Sequence, residues 1–222
     1  MPIINLVDVS KSFKEKVLYK DANLSIDIGE CIGIVGANGS GKSVLFKMIS
    51  GLESADTGAV YVKGELVGQG HDFPEGVGLF VNQPGYIEYY DGLTNLKLLA
   101  EIQHRIDEGT IRTYMEKVGL DSNDKTKVKN YSAGMKQKLG IAQAIMEDQD
   151  IVLLDEPFNA LDFQTNNDVM RMLIDLKAEG KTLLMTSHQH DYLEKLCDRI
   201  YLIIDKKIVL FNEETKNKYF LL

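Results

Sequence analysis

Residues 31–43 read CIGIVGANGSGKS, an apolar run that leads into a glycine-rich turn and ends in Lys42 and Ser43. Short apolar runs bounded by turn residues are typical of buried strands. The next residues, VLFKMISG, have the apolar spacing of a helix that ends at Gly51. The pattern G-x-x-x-x-G-K-S between a strand and a helix is typical of a phosphate-binding loop. Residues 36–43 therefore predict an α/β fold and a nucleotide site.

Each residue type in this loop has a chemical reason to be there. Glycines let the main chain curl until its N–H groups surround phosphate oxygens at the positive end of a helix. The ammonium of Lys42 would reach the β- and γ-phosphates, and the hydroxyl of Ser43 would ligate Mg²⁺. A glycine-rich turn with a chance Lys-Ser pair is the alternative. The predicted nucleotide contacts are Gly36, Asn38, Gly39, Ser40, Gly41, Lys42 and Ser43.

A second motif, IVLLDE at residues 151–156, places two adjacent carboxylates after an apolar run. Ligands of open α/β sheets bind at the carboxyl ends of the strands. Asp155 would hold Mg²⁺ there, and Glu156 would act as a general base on an attacking water. Two acids that merely end a strand are the alternative. Together with the loop, the motif predicts a Mg²⁺-dependent nucleoside triphosphatase.

Composition and charge narrow the class of protein. The chain has 222 residues, 25 of them basic and 33 acidic, which allows one sizeable core and disfavours non-specific nucleic-acid binding. We expect no nucleic-acid partner. The one basic cluster, DKTKVK at residues 124–129, is explained by a solvated face.

Several features indicate the cytoplasm. The longest apolar runs, such as IVLL and IYLII, are far shorter than the roughly 20 residues of a membrane span. The N-terminus, MPIINLVDVS, lacks the pattern of a signal peptide. Cys31 and Cys197 have no metal-like spacing, which is compatible with a reducing compartment.

Short apolar runs alternate with helical patterns along the chain, which predicts a mostly parallel sheet flanked by helices. VDVSKSF and ANLSIDI resemble an N-terminal antiparallel pair, and YVKGE, VGLFVNQ, KTLLMTSH and RIYLII resemble further strands. Consecutive helical patterns interrupt the alternation between about 84 and 147. We predict a single domain over residues 1–222, with a core at about 1–83 and 148–222 and a helical subdomain at about 84–147.

The stretch NYSAGMKQKLGIAQAIM, residues 130–146, predicts a helix with Ser132 as its N-cap. Gly134 lies inside the first turn, where glycine costs roughly 1 kcal/mol relative to alanine. Taken alone, this is a cap followed by a tolerated glycine.

The order GANGSGKS, VNQ, YSAGMKQ, IVLLDEP, NALD and TSH resembles the ATP-binding domain of ATP-binding-cassette (ABC) transporters over essentially the whole chain. In that family the Ser-x-Gly helix start is the signature motif. Two domains pair head to tail, and each signature helix points at the γ-phosphate held by the other subunit. The resemblance implies that Ser132 and Gly134 contact the partner's ATP, since a Cβ at Gly134 would crowd the phosphate.

The signature departs from the common Leu-Ser-Gly-Gly-Gln at Tyr131, Ala133 and Met135. It resembles a bacterial subgroup with the signature Tyr-Ser-x-Gly-Met. That subgroup includes exporters that confer self-protection against antimicrobial peptides.

The resemblance implies roles for four further residues. Gln83 would sense Mg²⁺ and the attacking water, and is otherwise a polar turn residue. His188 would contact the γ-phosphate and fix the water with Glu156, and is otherwise a structural histidine. Asp162 would communicate across the dimer, as well as cap a helix. Phe13 would stack on adenine, and is otherwise a strand-end aromatic.

The function implied by the resemblance is that of a Mg²⁺-dependent ATPase subunit of a membrane transporter, with ATP and Mg²⁺ bound. Its partners would be transmembrane permease subunits on separate chains and a second ATP-binding subunit, in a homodimer or heterodimer. It would lie peripherally on the inner face of the cell membrane, and the subgroup suggests an exporter. The alternative is a non-transport ABC ATPase, such as an iron–sulfur assembly factor.

Overall fold

The described residues form two β-sheets and six α-helices. A computed structural model describes residues 2–68, 73–81, 85–159, 161–213 and 215. In chain order the elements are β1 (Ile4–Phe13), β2 (Lys16–Ile26), β3 (Cys31–Gly36), α1 (Lys42–Ile49), β4 (Thr57–Val62), β5 (Glu65–Val67), β6 (Val77–Phe80), α2 (Gly92–Gln103), α3 (Glu108–Lys117), a short 3₁₀ helix (Val128–Asn130), α4 (Ala133–Ile145), β7 (Ile151–Leu154), α5 (Phe163–Ala178), β8 (Thr182–Thr186), α6 (His190–Leu196), β9 (Arg199–Ile204) and β10 (Lys207–Leu210).

The larger sheet has six strands in the order β10-β9-β3-β8-β7-β6. All its pairings are parallel except that of β10 with β9. Every residue of β3, β7 and β8 is buried, as expected for parallel strands covered on both faces. The predicted fold class is confirmed. Because these three strands run in the same direction, their carboxyl ends meet at one edge of the sheet.

The smaller sheet is antiparallel, in the order β2-β1-β4-β5. It packs with α1 against one face of the larger sheet, and α2 to α6 cover the other face. The side chains of β7 alternate between these two faces. Ile151 and Leu153 belong to the hydrophobic cluster that includes α1, whereas Val152 and Leu154 belong to the cluster that includes α2 to α6. The phosphate loop therefore starts from the middle of a two-sided core.

The prediction of one strand at YVKGE is wrong. The chain reverses there, and Val62 at the end of β4 pairs with Glu65 at the start of β5. Lys63 and Gly64 both have positive φ, 53° and 84°, which is the requirement of the type I′ turn in a two-residue hairpin. Because the first turn residue is a lysine, a search of the sequence for Asn-Gly or Asp-Gly does not find this turn.

The last strand, β10, has no counterpart in the sequence prediction. After β9 the chain turns through Asp205 and Lys206, both at positive φ, and β10 returns antiparallel to it. With only four residues, KIVL, this strand is too short to show a clear alternating pattern.

The consecutive helices between residues 92 and 145 are those expected from the sequence. Asp91 and Asp107 cap α2 and α3 by accepting from the main-chain N–H of Thr94 and Thr110. The division into a core and a helical subdomain at residues 84–147 stays a prediction, and Pro84 lies outside the described residues. Within the described ranges, no helix has the length and apolarity that crossing a bilayer requires.

Candidate functional site

A cavity of about 450 Å³ lies where β3, β7 and β8 end. Its lining is Phe13, Lys16, Leu18, Asn38, Gly39, Gly41, Lys42, Ser43, Val44, Asp155, Glu156 and His188. All of these except Lys16, Leu18 and Val44 were predicted from sequence. Ser40 lines a neighbouring cavity of about 620 Å³, which shares Lys16, Leu18 and Gly39 with the first.

The phosphate loop is wrapped around the side chain of Lys42. This side chain is buried, and its Nζ donates to the carbonyl oxygens of Gly36 at 2.8 Å and Ala37 at 3.4 Å. Burial lowers the pKa of the Lys42 ammonium, whereas the charges of Glu156 and Asp155 act in the opposite direction. A buried ammonium on the wall of an open cavity is suited to an anionic ligand.

Tyr19, which the sequence analysis did not identify, contacts the phosphate loop through its hydroxyl. Its fully buried hydroxyl donates to the carbonyl oxygen of Gly41 at 2.9 Å. Burial raises the pKa of this hydroxyl, so it stays protonated and remains a donor. Gly41 has φ 112°, and a Cβ there would lie 2.9 Å from the Tyr19 oxygen. The glycine is therefore required by its conformation and by this contact. The sequence did offer one sign of this contact, which is that Tyr19 carries a hydroxyl among the inward-facing residues of β2.

Asp155 joins two hydroxyl groups from different elements. Ser43 Oγ donates to its Oδ2 at 2.5 Å, and Thr186 Oγ1, at the end of β8, donates to its Oδ1 at 2.7 Å. Hydroxyl and carboxylate oxygens are ligands that Mg²⁺ uses together with water and substrate phosphates. Among the described residues, no three His, Cys, Asp or Glu side chains form a metal cluster. The oxygens of Ser43 and Asp155 are of the kind that fit a Mg²⁺ ion.

Glu156 is held in an unusual main-chain conformation. Its φ is 55°, in the left-handed region, and its N–H donates to Thr186 Oγ1 at 2.8 Å. Its Oε2 accepts from the main-chain N–H of His188 at 3.1 Å, and the ring Nε2 of His188 lies 3.4 Å from Oε1. Oε1 is buried and accepts no hydrogen bond from the described residues. A buried carboxylate oxygen in this state has unused capacity to accept a hydrogen bond.

The signature stretch lies apart from this cavity, since neither Ser132 nor Gly134 is in its lining. Ser132 Oγ accepts from the N–H of Met135 at 3.1 Å, as predicted for the N-cap of α4. A Cβ at Gly134 would meet Leu161 and Thr165 only at 3.6 Å, an ordinary contact, and φ there is not positive. Within the described part of the chain, nothing we find requires this glycine.

Gly140, on the same helix, shows the contrast. A Cβ there would lie 2.3 Å from Cε2 of the Phe80 ring, so packing inside the chain explains this glycine. Gly134 differs from Gly140 in having no such close contact among the described residues.

We expect the two glycines of α4 to respond in opposite ways to alanine. Gly134→Ala should raise the free energy of unfolding by roughly 0.5–1 kcal/mol, because alanine is the better helix former. Gly140→Ala should lower it by about 1–3 kcal/mol through overpacking against Phe80. Urea unfolding of the nucleotide-free protein measures both. Comparable destabilisation by the two substitutions would mean that internal packing also explains Gly134.

Three further predicted residues have different outcomes. Asp162 caps α5 by accepting from the N–H and hydroxyl of Thr165, and these hydrogen bonds lower the pKa of its carboxyl. Phe13 is 43% exposed on the cavity wall, with Lys11 Nζ 4.9 Å from its ring centre. Gln83 lies outside the described residues.

The chain is similar to known ATP-binding cassettes. The family model described as "ABC transporter" matches residues 19–159. The lantibiotic transport ATP-binding protein SrtF of Streptococcus pyogenes is 30% identical, over 95% of this chain and 91% of that protein. The Nod factor export ATP-binding protein I of Rhizobium johnstonii is 34% identical, over 89% of this chain and 65% of that protein.

The fold is similar to a solved cassette. A structure described as the dimeric, post-hydrolysis state of an ATP-binding cassette bound to ADP and Pi superposes with a TM-score of 0.83. It is 25% identical, and the match covers 92% of this chain and 96% of that chain.

Proposed function

The chain belongs to the ABC transporter family as an ATP-binding subunit that hydrolyses ATP, and from this premise we propose how its site works. ATP is bound in the cavity of about 450 Å³ and hydrolysed there between two cassettes paired head to tail. The observation that supports this is the meeting of Lys42, Ser43, Asp155, Glu156 and His188 at one edge of the sheet.

The nucleotide would be held mainly through its phosphates. Lys42 would exchange its main-chain contacts for the β- and γ-phosphate oxygens, and the loop N–H groups would surround them. Ser43 and Asp155, together with Gln83, would hold Mg²⁺, which when bound neutralises charge on the phosphate oxygens. Phe13 would stack on the adenine.

Glu156 would act as the general base. As a water oxygen bonds to the γ-phosphorus, the bond from that phosphorus to the β,γ-bridging oxygen breaks and ADP leaves. The proton of the water passes to the carboxylate of Glu156, a residue that lines the cavity. His188, within 3.4 Å of Oε1, would keep the water beside it and contact the γ-phosphate.

The second half of the site would come from a partner cassette. Its Ser132 and Gly134 would approach the γ-phosphate with the positive N-terminus of their helix. The lack of an internal reason for Gly134 supports this arrangement. Asp162 would communicate across the pair, which is supported by the proximity of its neighbours Leu161 and Thr165 to Gly134.

We propose that the subunit powers a bacterial exporter. The relatives support a transporter subunit over the iron–sulfur assembly factor that the sequence left open. One of them is named for lantibiotic transport and another for export. Permease subunits on separate chains would form the pathway, with this subunit bound peripherally at the inner face of the membrane. The second cassette would be another copy or a related chain.

Affinity purification tests the membrane partner. The tagged protein, isolated from detergent-solubilised native membranes, should bring with it at least one polytopic membrane protein identified by mass spectrometry. Mock purification from untagged cells is the control. Recovery of soluble scaffold proteins alone would contradict the role in transport.

A further inference from the structure

Gln137 connects α4, the signature helix that begins after Ser132, to the main chain of Glu156. It lies on α4, three residues after Gly134 and thus on the same side of the helix. Its Nε2 donates to the main-chain carbonyl oxygen of Glu156 at 3.0 Å. Because a carbonyl oxygen can only accept, the amide of Gln137 must present its NH₂ group to it.

The main chain of Glu156 needs external support. A non-glycine residue at φ 55° is strained by about 1–3 kcal/mol, and such residues persist only where the surrounding structure holds them. Pro157 follows directly and further restricts the conformation of Glu156.

The contacts that hold this main chain come from three places. Thr186 Oγ1 accepts from the Glu156 N–H at 2.8 Å, and the Glu156 carbonyl accepts from the N–H of Asn159 at 3.1 Å and from Gln137. Thr186 belongs to the sheet, and Asn159 belongs to the same turn. Of these three contacts, only that of Gln137 comes from α4.

We propose that Gln137 is a positioning residue for ATP hydrolysis, which orients the carboxylate of Glu156 by holding its main chain against the signature helix. The proposal rests on the proposed function of Glu156 as the base. Since the N-terminus of α4 is proposed to face the partner's ATP, Gln137 makes the orientation of the base depend on the position of that helix. A small displacement of a catalytic group is enough to lower a rate about a hundredfold.

Gln137→Met tests this role, because methionine keeps the length of the side chain and removes the donor. We expect kcat to fall about tenfold, with the KM for ATP and the melting temperature nearly unchanged, since Lys42 and its loop are intact. Gln143→Met, the same change six residues further along α4, is the matched control and should keep the parental kcat. If Gln137→Met does not fold, Gln137→Glu at pH 8 also lacks the donor and should lose activity likewise.

A double-mutant cycle distinguishes positioning of Glu156 from a general structural role. In a Glu156→Gln background, Gln137→Met should cause no further loss of the residual rate, because the group it positions is gone. A further tenfold loss in that background, or a parental kcat in Gln137→Met alone, would overturn the proposal. Parental hydrolysis by Glu156→Gln alone would instead overturn the role of the base, and with it the inference that rests on it.

Discussion

Glu156→Gln is expected to lower the rate of ATP hydrolysis by about a thousandfold, within the range for loss of a general base. The amide keeps the size of the side chain but cannot take a proton from water at neutral pH. Lys42, Ser43 and Asp155 are unchanged, so the variant should still bind ATP. Steady-state phosphate release measures the rate, and calorimetry measures the affinity.

The same variant tests the dimer, because ATP that is bound but not hydrolysed should keep two cassettes together. Light scattering after gel filtration should show dimers in ATP and monomers without it. Glu101→Gln, at an exposed position of α2, is the control and should keep the parental rate. Hydrolysis at the parental rate in Glu156→Gln would rule out this residue as the base. An inactive variant that stays monomeric at high ATP would count against the head-to-tail pair.

Gly134→Asp is expected to keep ATP binding and to lose nearly all hydrolysis. A carboxylate at this position would face the γ-phosphate of the partner's ATP, and like charges in a partly desolvated site repel strongly. Its own phosphate loop is untouched. Gly134→Ala, which adds a Cβ without the charge, should lose less activity. Normal hydrolysis in Gly134→Asp would refute the signature interpretation and leave Gly134 as a tolerated glycine.

Mixing this variant with Lys42→Ala extends the test to the geometry of the pair. Lys42→Ala should bind ATP weakly, because it lacks the charge-assisted contact to the phosphates. In a mixed dimer, one site combines both defects, whereas the other combines an intact loop with an intact signature. If one site can hydrolyse ATP alone, the mixture should recover part of the activity that neither variant has separately. Formation of the ATP-dependent heterodimer should be measured in the same mixture. If both sites must act together, the heterodimer would form but the mixture would regain no ATPase activity.

The local features that the sequence predicts and the structure contains share one property, which is that they are formed by neighbours in the chain. The phosphate loop is a strand, a turn and a helix within residues 31–49, and its glycines, Lys42 and Ser43 are adjacent. The cap at Ser132 bonds to an N–H three residues away. Local sterics and hydrogen bonding decide such features, so a pattern of a few residues is enough to predict them.

The hairpin at Lys63 and Gly64 is a feature that the neighbouring residues in the sequence do not predict. Lysine at positive φ is uncommon, and its conformation here is set by the pairing of β4 with β5 and β1. Pairing energy from the sheet outweighs the preference of a single residue.

By itself, the sequence determined the fold class, the phosphate loop, the carboxylate pair and the order of motifs that marks the family. Only the tertiary structure decided which groups support them: Tyr19 beneath Gly41, Thr186 against Asp155, and Gln137 against Glu156. These partners are 19 to 31 residues apart in the chain. Strand pairing and helix packing bring them together, and the local sequence does not say which distant residues will meet.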